Sequence, residues 1–210
     1  MSGAAPRVRT QHAVRIGITG PIGCGKSQVG RWLAELGAVV VDADAMASEA
    51  TAPGRPAHDA VLAHFGPAVA APDGTLDRKA LGRIVFADPA RLRELEAIVH
   101  PAVRPLILAA LDAADRDGAP AVVVEAIKLV EGGLAALCDE VWLVTCEPAV
   151  QRGRLADRGT AAAEAEQRIL AQTGLAARLR PAATRVLDTS GPADATREAV
   201  AVALAAALAG

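Results

Sequence analysis

Residues 20–27, GPIGCGKS, follow the pattern G-x-x-x-x-G-K-[ST] without a gap. This pattern is typical of a loop that holds nucleotide phosphates. Its glycines allow a tight turn in which successive backbone N–H groups point at phosphate oxygens. The lysine supplies positive charge for the β- and γ-phosphates, and the serine hydroxyl can bind Mg²⁺. The predicted nucleotide-binding residues are Gly20, Ile22, Gly23, Cys24, Gly25, Lys26, Ser27 and Gln28, with Ser27 also the metal ligand.

Two acidic residues follow the next hydrophobic run, in the string VVVDAD at 39–44. On an extended segment, alternation would point Asp42 and Asp44 the same way. The carboxyl ends of neighbouring parallel strands share one crevice, so both carboxylates are expected to face the phosphate-binding loop. There, one of them can accept the proton of an attacking hydroxyl or hold Mg²⁺ through water, although either could instead cap the following helix. Glu125 ends another hydrophobic strand and can act as a further acidic partner of the metal.

The stretch 151–185 contains seven arginines and no lysine, against three acidic residues. Arg154 and Arg158 are four residues apart and therefore lie on one helix face. Arg158 stands beside Gly159 and Thr160, so we interpret this segment as a mobile lid whose arginine binds phosphate. We interpret Arg152 and Arg180 as solvated surface charges.

The composition indicates one α/β domain with a small insertion, because 210 residues with 52% hydrophobic content can build one sizeable core. A net charge of −2 argues against nucleic acid as a partner, and 2% aromatic residues argue against a base-stacking surface. Three cysteines without metal-ligand spacing suit a reducing cytosol, and we read Cys24 as an oxidisable filler, not a nucleophile. The chain shows no export signal and no terminal run long enough for a membrane span, which predicts a cytoplasmic protein.

Apolar runs rich in β-branched residues alternate with helical patterns, which predicts a parallel sheet with crossover helices. The strands are predicted at 14–19, 38–41, 121–125, 140–146 and 184–187, with the first helix at 26–36. Between the second and third strands lies a helical insertion, with a helix at 58–65, helix N-caps at Asp77 and Asp88, and a helix at 102–116. The pair His100-Pro101 predicts a break before that last helix. An insertion at this point suits a second substrate or serves as scaffold, and His100 suits either packing or a substrate contact.

Taken together, the strings resemble those of the dephospho-coenzyme A kinase family over residues 15–200. The resemblance is carried by IGITGPIGCGKS, VVDADAMA, GTLDRKALGRIVFADPARLRELEAIVHPAV, LVEGGLAALCDEVWLV, QRGRLADRG and RILAQ. It implies a three-layer α/β P-loop kinase fold, with a five-stranded parallel sheet, helices on both faces, a helical acceptor-binding insertion and an arginine-rich lid. It also implies phosphorylation of the ribose 3′-hydroxyl of dephospho-coenzyme A by ATP with Mg²⁺.

The resemblance assigns roles to individual positions. Asp44 is expected to be the general base, with Lys26 and Arg158 as the other catalytic residues. Arg78 and His100 are expected on the acceptor side, together with Asp44. One domain, 1–210, is expected, with a core at 14–50, 120–150 and 184–210, the insertion at 51–118 and the lid at 151–183. A monomer or weak homo-oligomer is expected.

Two places depart from the family pattern. Residues 125–131, EAIKLVE, stand where the family shows D-x-P-L-L-F-E, so the proline is missing and Lys128 is unusual. Thr189 stands where an asparagine is expected. The alternatives are another small-metabolite kinase, such as a shikimate-type enzyme, or a protein that senses or hydrolyses ATP without an acceptor.

Overall fold

The computed structural model describes residues 12–210. Five parallel strands form one sheet in the order β2-β3-β1-β4-β5. The strands are β1 Val14–Thr19, β2 Val39–Asp42, β3 Ala121–Glu125, β4 Glu140–Thr145 and β5 Arg185–Asp188. All five predicted strands are present, with ends within one residue of the predictions. Helices cover both faces, which confirms the predicted α/β class and parallel sheet.

Nine α-helices lie within the described part of the chain. They are α1 Lys26–Glu35, α2 Ala43–Ala50, α3 Pro56–Phe65, α4 Arg78–Ala87, α5 Pro89–Arg116, α6 Pro148–Asp157, α7 Ala162–Ala171, α8 Leu175–Leu179 and α9 Ala193–Ala209. Three short 3₁₀ turns occur at Pro67–Val69, Leu134–Leu137 and Arg180–Ala182.

The two faces of β3 show why this sheet forms a three-layer fold. Side chains alternate along a strand, so a strand buried on both faces reads as a continuous apolar run. Val123 packs with Leu33 of α1 and Leu204 of α9 on one face. Val122 packs with Ile107 of α5 on the other. Each such side chain stabilises the fold by about 1.5–3 kcal/mol when fully buried, so both helix layers are held by apolar contacts.

The helical insertion has a small core of its own. Apolar side chains from α3, α4 and the turns between them form one cluster, against which the first half of α5 packs: Val61, Val69, Leu76, Leu81 and Val85. The predicted N-caps are present, because Asp77 accepts hydrogen bonds from the backbone of Lys79 and Ala80. Asp88 likewise accepts one from the backbone of Ala90.

The predicted helix break at His100-Pro101 is wrong, because α5 continues through both Pro101 and Pro105. A proline inside a helix loses one hydrogen bond and crowds the carbonyl four residues earlier. Both prolines are exposed and lie one turn apart, so the loss falls on the solvent-facing side. The opposite side buries Val103 and Ile107 against the sheet, and this burial outweighs the cost.

Helix α5 is also the one helix of residues 12–210 that is long and apolar enough to cross a membrane, with a mean hydropathy of 1.4. This is weak evidence for a membrane span, since the core helices of globular proteins pass the same test. Its apolar residues have a packing role here, because they cover the sheet at one end and the insertion core at the other.

Cys24 and Cys146 form a disulfide in this structure, with their Cα atoms 5.1 Å apart. The pairing differs from the expectation of a chain suited to a reducing cytosol. The two residues are 122 positions apart, and only the parallel neighbours β1 and β4 bring them together. Cys138 is the remaining free cysteine, and burial raises the pKa of its thiol to about 11.

Candidate active site

The predicted phosphate-binding loop, residues 20–27, connects the end of β1 to the start of α1. Gly20, Gly23 and Gly25 have φ angles of +144°, +76° and +89°, which side chains rarely tolerate. A Cβ atom at Gly20 would lie 2.1 Å from the carbonyl oxygen of Val144, so only glycine fits there. Helix α1 begins without a side-chain cap, which leaves its first N–H groups available for an anion.

Lys26 lies at the start of α1 and is buried. Its Nζ atom donates hydrogen bonds to the carbonyl oxygens of Gly20 at 2.9 Å and Pro21 at 3.2 Å. Burial lowers the pKa of Lys26, whereas the charges of Glu125 and Asp44 act in the opposite direction. The side chain is thus folded over the loop and faces two carboxylates.

Ser27 and Glu125 join the loop to the end of β3. The Ser27 hydroxyl donates a 2.8 Å hydrogen bond to the Glu125 carboxylate. Desolvation raises the pKa of Glu125, while the Ser27 hydrogen bond and the Lys26 charge lower it. A hydroxyl and a carboxylate in contact are ligands that suit Mg²⁺.

Alternation predicted that Asp42 and Asp44 lie on one extended segment, and this prediction is wrong. Strand β2 ends at Asp42 and α2 begins at the next residue. Asp42 caps α2, because its carboxylate accepts hydrogen bonds from the backbone N–H groups of Asp44 and Ala45. Asp44 therefore reaches the cavity from the first turn of a helix. Desolvation and the charge of Asp42 raise the pKa of Asp44, and Lys26 lowers it.

Arg158 reaches the same cavity from the end of α6. Gly159 follows it with φ +75°, and its N–H group bonds to the carbonyl oxygen of Ala156. The N–H group of Thr160 bonds to the carbonyl oxygen of Leu155, which completes a Schellman motif. This motif ends α6 at Arg158, which lines the cavity together with the loop.

The neighbouring arginines have other partners. Arg154 donates from Nη1 and Nη2 to the hydroxyl and carbonyl oxygens of Thr189, both at 2.7 Å. Arg152 is exposed and forms an ion pair with Glu166 of α7. Arg154 and Arg158 therefore act at different places, although both project from α6.

Thr189 is buried after the end of β5, where the family pattern has asparagine. Its hydroxyl lies 2.8 Å from the carbonyl oxygen of Cys24 in the phosphate-binding loop. Its backbone N–H group also bonds to the carbonyl oxygen of Thr145 at the end of β4. Thr189 thus contacts the phosphate-binding loop outside the cavity lining, and Arg154 holds Thr189 in place.

One cavity is lined by most of the residues that the sequence predicts to bind ATP or to catalyse the reaction. It is lined by Ile22, Gly23, Gly25, Lys26, Ser27, Asp42, Asp44, Glu125, Ile127 and Arg158. Cations and carboxylates face each other across it, which suits a phosphate chain, a divalent cation and a hydroxyl to be deprotonated.

Arg78 and His100 lie outside this cavity lining. Arg78 is 3.4 Å from both the carbonyl oxygen of Ser48 and the hydroxyl of Thr51, at the end of α2. His100 is exposed on α5, and its ring packs near Gly132. Lys128, in the unusual segment after β3, forms an ion pair with Glu96 of α5.

Two glutamines contact the loop although no role was predicted for them. Gln151 donates a 2.6 Å hydrogen bond to the carbonyl oxygen of Ile22, and Gln172 accepts one of 2.7 Å from its N–H group. Gln151 begins the string QRGRLADRG and Gln172 ends the string RILAQ. A neutral amide carries no charge or motif that would indicate a contact with the loop.

The chain is similar to known proteins over nearly its whole length. A family model described as dephospho-CoA kinase matches residues 14–194. A dephospho-CoA kinase of Symbiobacterium thermophilum is 48% identical over 93% of this chain and 82% of its own length. One from Geobacter metallireducens is 47% identical over 88% of this chain and 92% of its own length.

Solved structures agree with the fold. A Thermus thermophilus crystal structure has a TM-score of 0.78 and 36% identity, covering 93% of this chain and 98% of its own. A shikimate kinase from Acinetobacter baumannii has a TM-score of 0.51 and 16% identity, covering 94% of both chains, and so shares the fold alone. Since the family model spans most of the chain and relatives near 48% identity cover it almost fully, the chain belongs to the dephospho-CoA kinase family.

Proposed function

We propose that this chain transfers the γ-phosphoryl group of ATP to the ribose 3′-hydroxyl of dephospho-coenzyme A, giving coenzyme A and ADP in the last step of coenzyme A biosynthesis. The single observation that carries the proposal is that Asp44 shares one cavity with Lys26 and Arg158. A protein that only binds ATP needs cations around the phosphates, but it needs no carboxylate placed to deprotonate an acceptor. The family membership supports this acceptor over others.

The loop binds the phosphates of ATP in this proposal. The backbone N–H groups at the start of α1 point at the phosphate oxygens, and Lys26 shifts from the loop carbonyl oxygens to the β- and γ-phosphates. Burial lowers the pKa of Lys26, and the negative charge of a bound phosphate chain would raise it again.

The oxygen ligands beside the loop fit Mg²⁺. Ser27 would hold the ion directly, while Glu125, which accepts a hydrogen bond from Ser27, would act through water. Among residues 12–210, no cluster of three or more His, Cys, Asp or Glu side chains is placed to hold a metal ion. In this proposal the phosphates of ATP and water complete the coordination of Mg²⁺. The ion when bound neutralises charge on the β- and γ-phosphates.

Asp44 and Arg158 act on the transferred group in this proposal. The 3′-oxygen forms a bond to the γ-phosphorus while the bond from that phosphorus to the β,γ-bridging oxygen breaks, and Asp44 accepts the hydroxyl proton. Arg158 binds the γ-phosphoryl oxygens through charge-assisted hydrogen bonds. Its position at the end of α6 supports residues 151–183, which include most of α6 and all of α7 and α8, as the lid.

The helical insertion, residues 51–118, forms the acceptor side in this proposal. Arg78 binds the end of α2, the helix that carries Asp44, so it can link acceptor binding to the base. His100 lies near Gly132 in the segment after β3, so this proposal places both on the acceptor side. We also infer a cytoplasmic enzyme that works as a monomer or weak homo-oligomer.

An acceptor panel tests this function. ADP release should be measured with dephospho-coenzyme A, with shikimate and with no acceptor, in the presence of ATP and Mg²⁺. Mass spectrometry should then show one phosphate added to dephospho-coenzyme A, at the 3′ position. Robust phosphorylation of shikimate without that product, or equal ADP release in all three arms, would contradict the proposal.

A further inference from the structure

Ile22 is held by the side chains of two glutamines that belong to the lid helices α6 and α7. Its backbone N–H group donates to Oε1 of Gln172 at 2.7 Å, and its carbonyl oxygen accepts from Nε2 of Gln151 at 2.6 Å. Both polar backbone groups of this residue are therefore bound by the lid. They are the only such pair of side-chain contacts on one residue of the loop among the described residues.

The two glutamines lie at opposite ends of the lid helices. Gln151 is in the first turns of α6 and is buried, whereas Gln172 follows the end of α7 and is half-buried. Arg158 lies between them, at the turn from α6 to α7. The short turn at Gly159 and Thr160 joins the two helices directly, and Arg152 and Glu166 form an exposed ion pair between them.

We propose that Gln172, with Gln151, latches the lid onto the phosphate-binding loop at Ile22 and so positions Arg158 over the reacting phosphate. Gln172 is a positioning residue, since it acts through the loop and the lid. Gln151 and Arg154 hold α6 at Ile22 and Thr189, whereas Gln172 holds the far end of α7 to the loop. With both ends of the lid helices held, the turn between them, which carries Arg158, keeps a fixed position relative to Lys26. This inference rests on the proposed function for its effect on catalysis.

The latch should affect turnover more than binding. A shift of about 1 Å in a positioned group can cost about 10²-fold in rate. Because the backbone N–H groups at the start of α1 are untouched, the affinity for ATP should hardly change. A neutral amide is suited to this role, as it binds the loop without repelling the phosphates.

The diagnostic variant is Gln172→Met, which keeps the length of the side chain and removes the acceptor oxygen. Gln167→Met is the matched control, because Gln167 is exposed on α7, five residues before Gln172. We expect kcat to fall by about 10–10²-fold in the first variant and to stay unchanged in the second. The ATP dissociation constant, measured by calorimetry, should stay within about threefold in both.

A double-mutant cycle shows whether Gln172 acts through Arg158. In an Arg158→Ala background, Gln172→Met should cost little further turnover, since the group that it positions is gone. A loss that stays the same in both backgrounds would overturn the latch, because it would mean an independent structural effect.

A third measurement is independent of the reaction. Hydrogen exchange of the Ile22 amide in the ligand-free protein should be faster in Gln172→Met than in the wild type or in Gln167→Met. Equal exchange in all three proteins would overturn the latch whatever the acceptor is. If exchange is faster in Gln172→Met as expected, but the wild type does not phosphorylate dephospho-coenzyme A, the result would count against the proposed function alone.

Discussion

The carboxylate of Asp42 accepts a 2.9 Å hydrogen bond from the backbone N–H group of Asp44. This contact ends β2 and starts α2, so the chain turns between the two acids. Asp42 is thereby committed to the helix N-terminus, where a carboxylate is stabilised by N–H groups and the helix dipole. Asp44 is left with its carboxylate in the cavity, beside Lys26 and Arg158. The two carboxylates thus have different environments, and different environments give two carboxylates different roles.

Asp44→Asn should lower kcat by about 10²–10⁴-fold, the usual contribution of a positioned proton acceptor. The affinity for ATP should change little, because the phosphates are bound by the loop. Asp42→Asn is the matched control, since asparagine caps a helix about as well as aspartate. Steady-state kinetics and calorimetry check both. A crippled Asp42→Asn with a nearly unchanged Asp44→Asn would mean that Asp42 is the base.

The pH dependence should respond to the same pair. Desolvation and then repulsion from Asp42 raise the pKa of Asp44, whereas Lys26 lowers it. A general base must be deprotonated, so activity should rise with pH through the pKa of Asp44. Asp42→Asn removes one negative neighbour, which lowers that pKa and should move the acidic limb of the kcat/KM profile to lower pH. An acidic limb that stays in place or moves to higher pH would contradict this coupling. An NMR titration of the ¹³C carboxyl shift of Asp44, assigned with the Asp44→Asn variant, checks the same pKa in the free protein.

Lys26→Ala should weaken both ATP binding and turnover, because its charge interacts with the phosphates before and during transfer. A charged hydrogen bond contributes about 1.5–3 kcal/mol, so the dissociation constant should rise by about 10–10²-fold. Lys79→Ala, an exposed lysine on α4, is the control. Unchanged ATP affinity in Lys26→Ala, by calorimetry, would show that the loop is not the phosphate site.

The phosphate-binding loop and the strands could be predicted because their signals are local. Residues 20–27 are contiguous, and the glycines that allow the turn are in the pattern itself. The strands are short apolar runs, and their alternation with helices predicts a parallel sheet with crossover helices. Asp44 lines the cavity as predicted, but the reason from alternation is partly wrong, because β2 ends at Asp42 and Asp44 lies in α2. The cap of α2 by Asp42 depends on geometry at one residue, which the spacing of two acids does not reveal.

Other features depend on contacts between distant parts of the chain. Helix α5 continues through Pro101 because its other side is buried against the sheet, a fact that local proline rules do not include. Gln172 bonds to Ile22 from 150 residues away, and a neutral amide carries no chemical signal in sequence. Cys24 and Cys146 meet because β1 and β4 are neighbours, which requires the order of the strands.

Arg158→Ala should reduce kcat by about 10²–10³-fold, the usual cost of losing a donor to the charge that develops in the transition state. The affinity for ATP should change little, since an open lid leaves the loop intact. Arg152→Ala is the control, because Arg152 is exposed and paired with Glu166. An exposed pair contributes about 0–1 kcal/mol, so this variant should keep nearly full activity. Equal and mild effects in both variants, by steady-state kinetics, would remove the lid arginine from the proposed function.

The disulfide between Cys24 and Cys146 should make the stability of the protein depend on redox conditions. A bond across 122 residues restricts the unfolded chain and can contribute as much as about 4–5 kcal/mol in the chain-entropy model. Reductant should therefore lower the free energy of unfolding of the wild type, measured by denaturant titration. The same reductant should have no effect on Cys146→Ser, which lacks the bond.

Cys138→Ser is the control for this prediction, because Cys138 is the remaining free cysteine and takes no part in the bond. Its unfolding should keep the full response to reductant, since the Cys24–Cys146 bond is intact. Alkylation and mass spectrometry of the untreated wild type should find one free thiol. Three free thiols, or an equal effect of reductant on the wild type and Cys146→Ser, would show that the bond does not contribute to stability in solution.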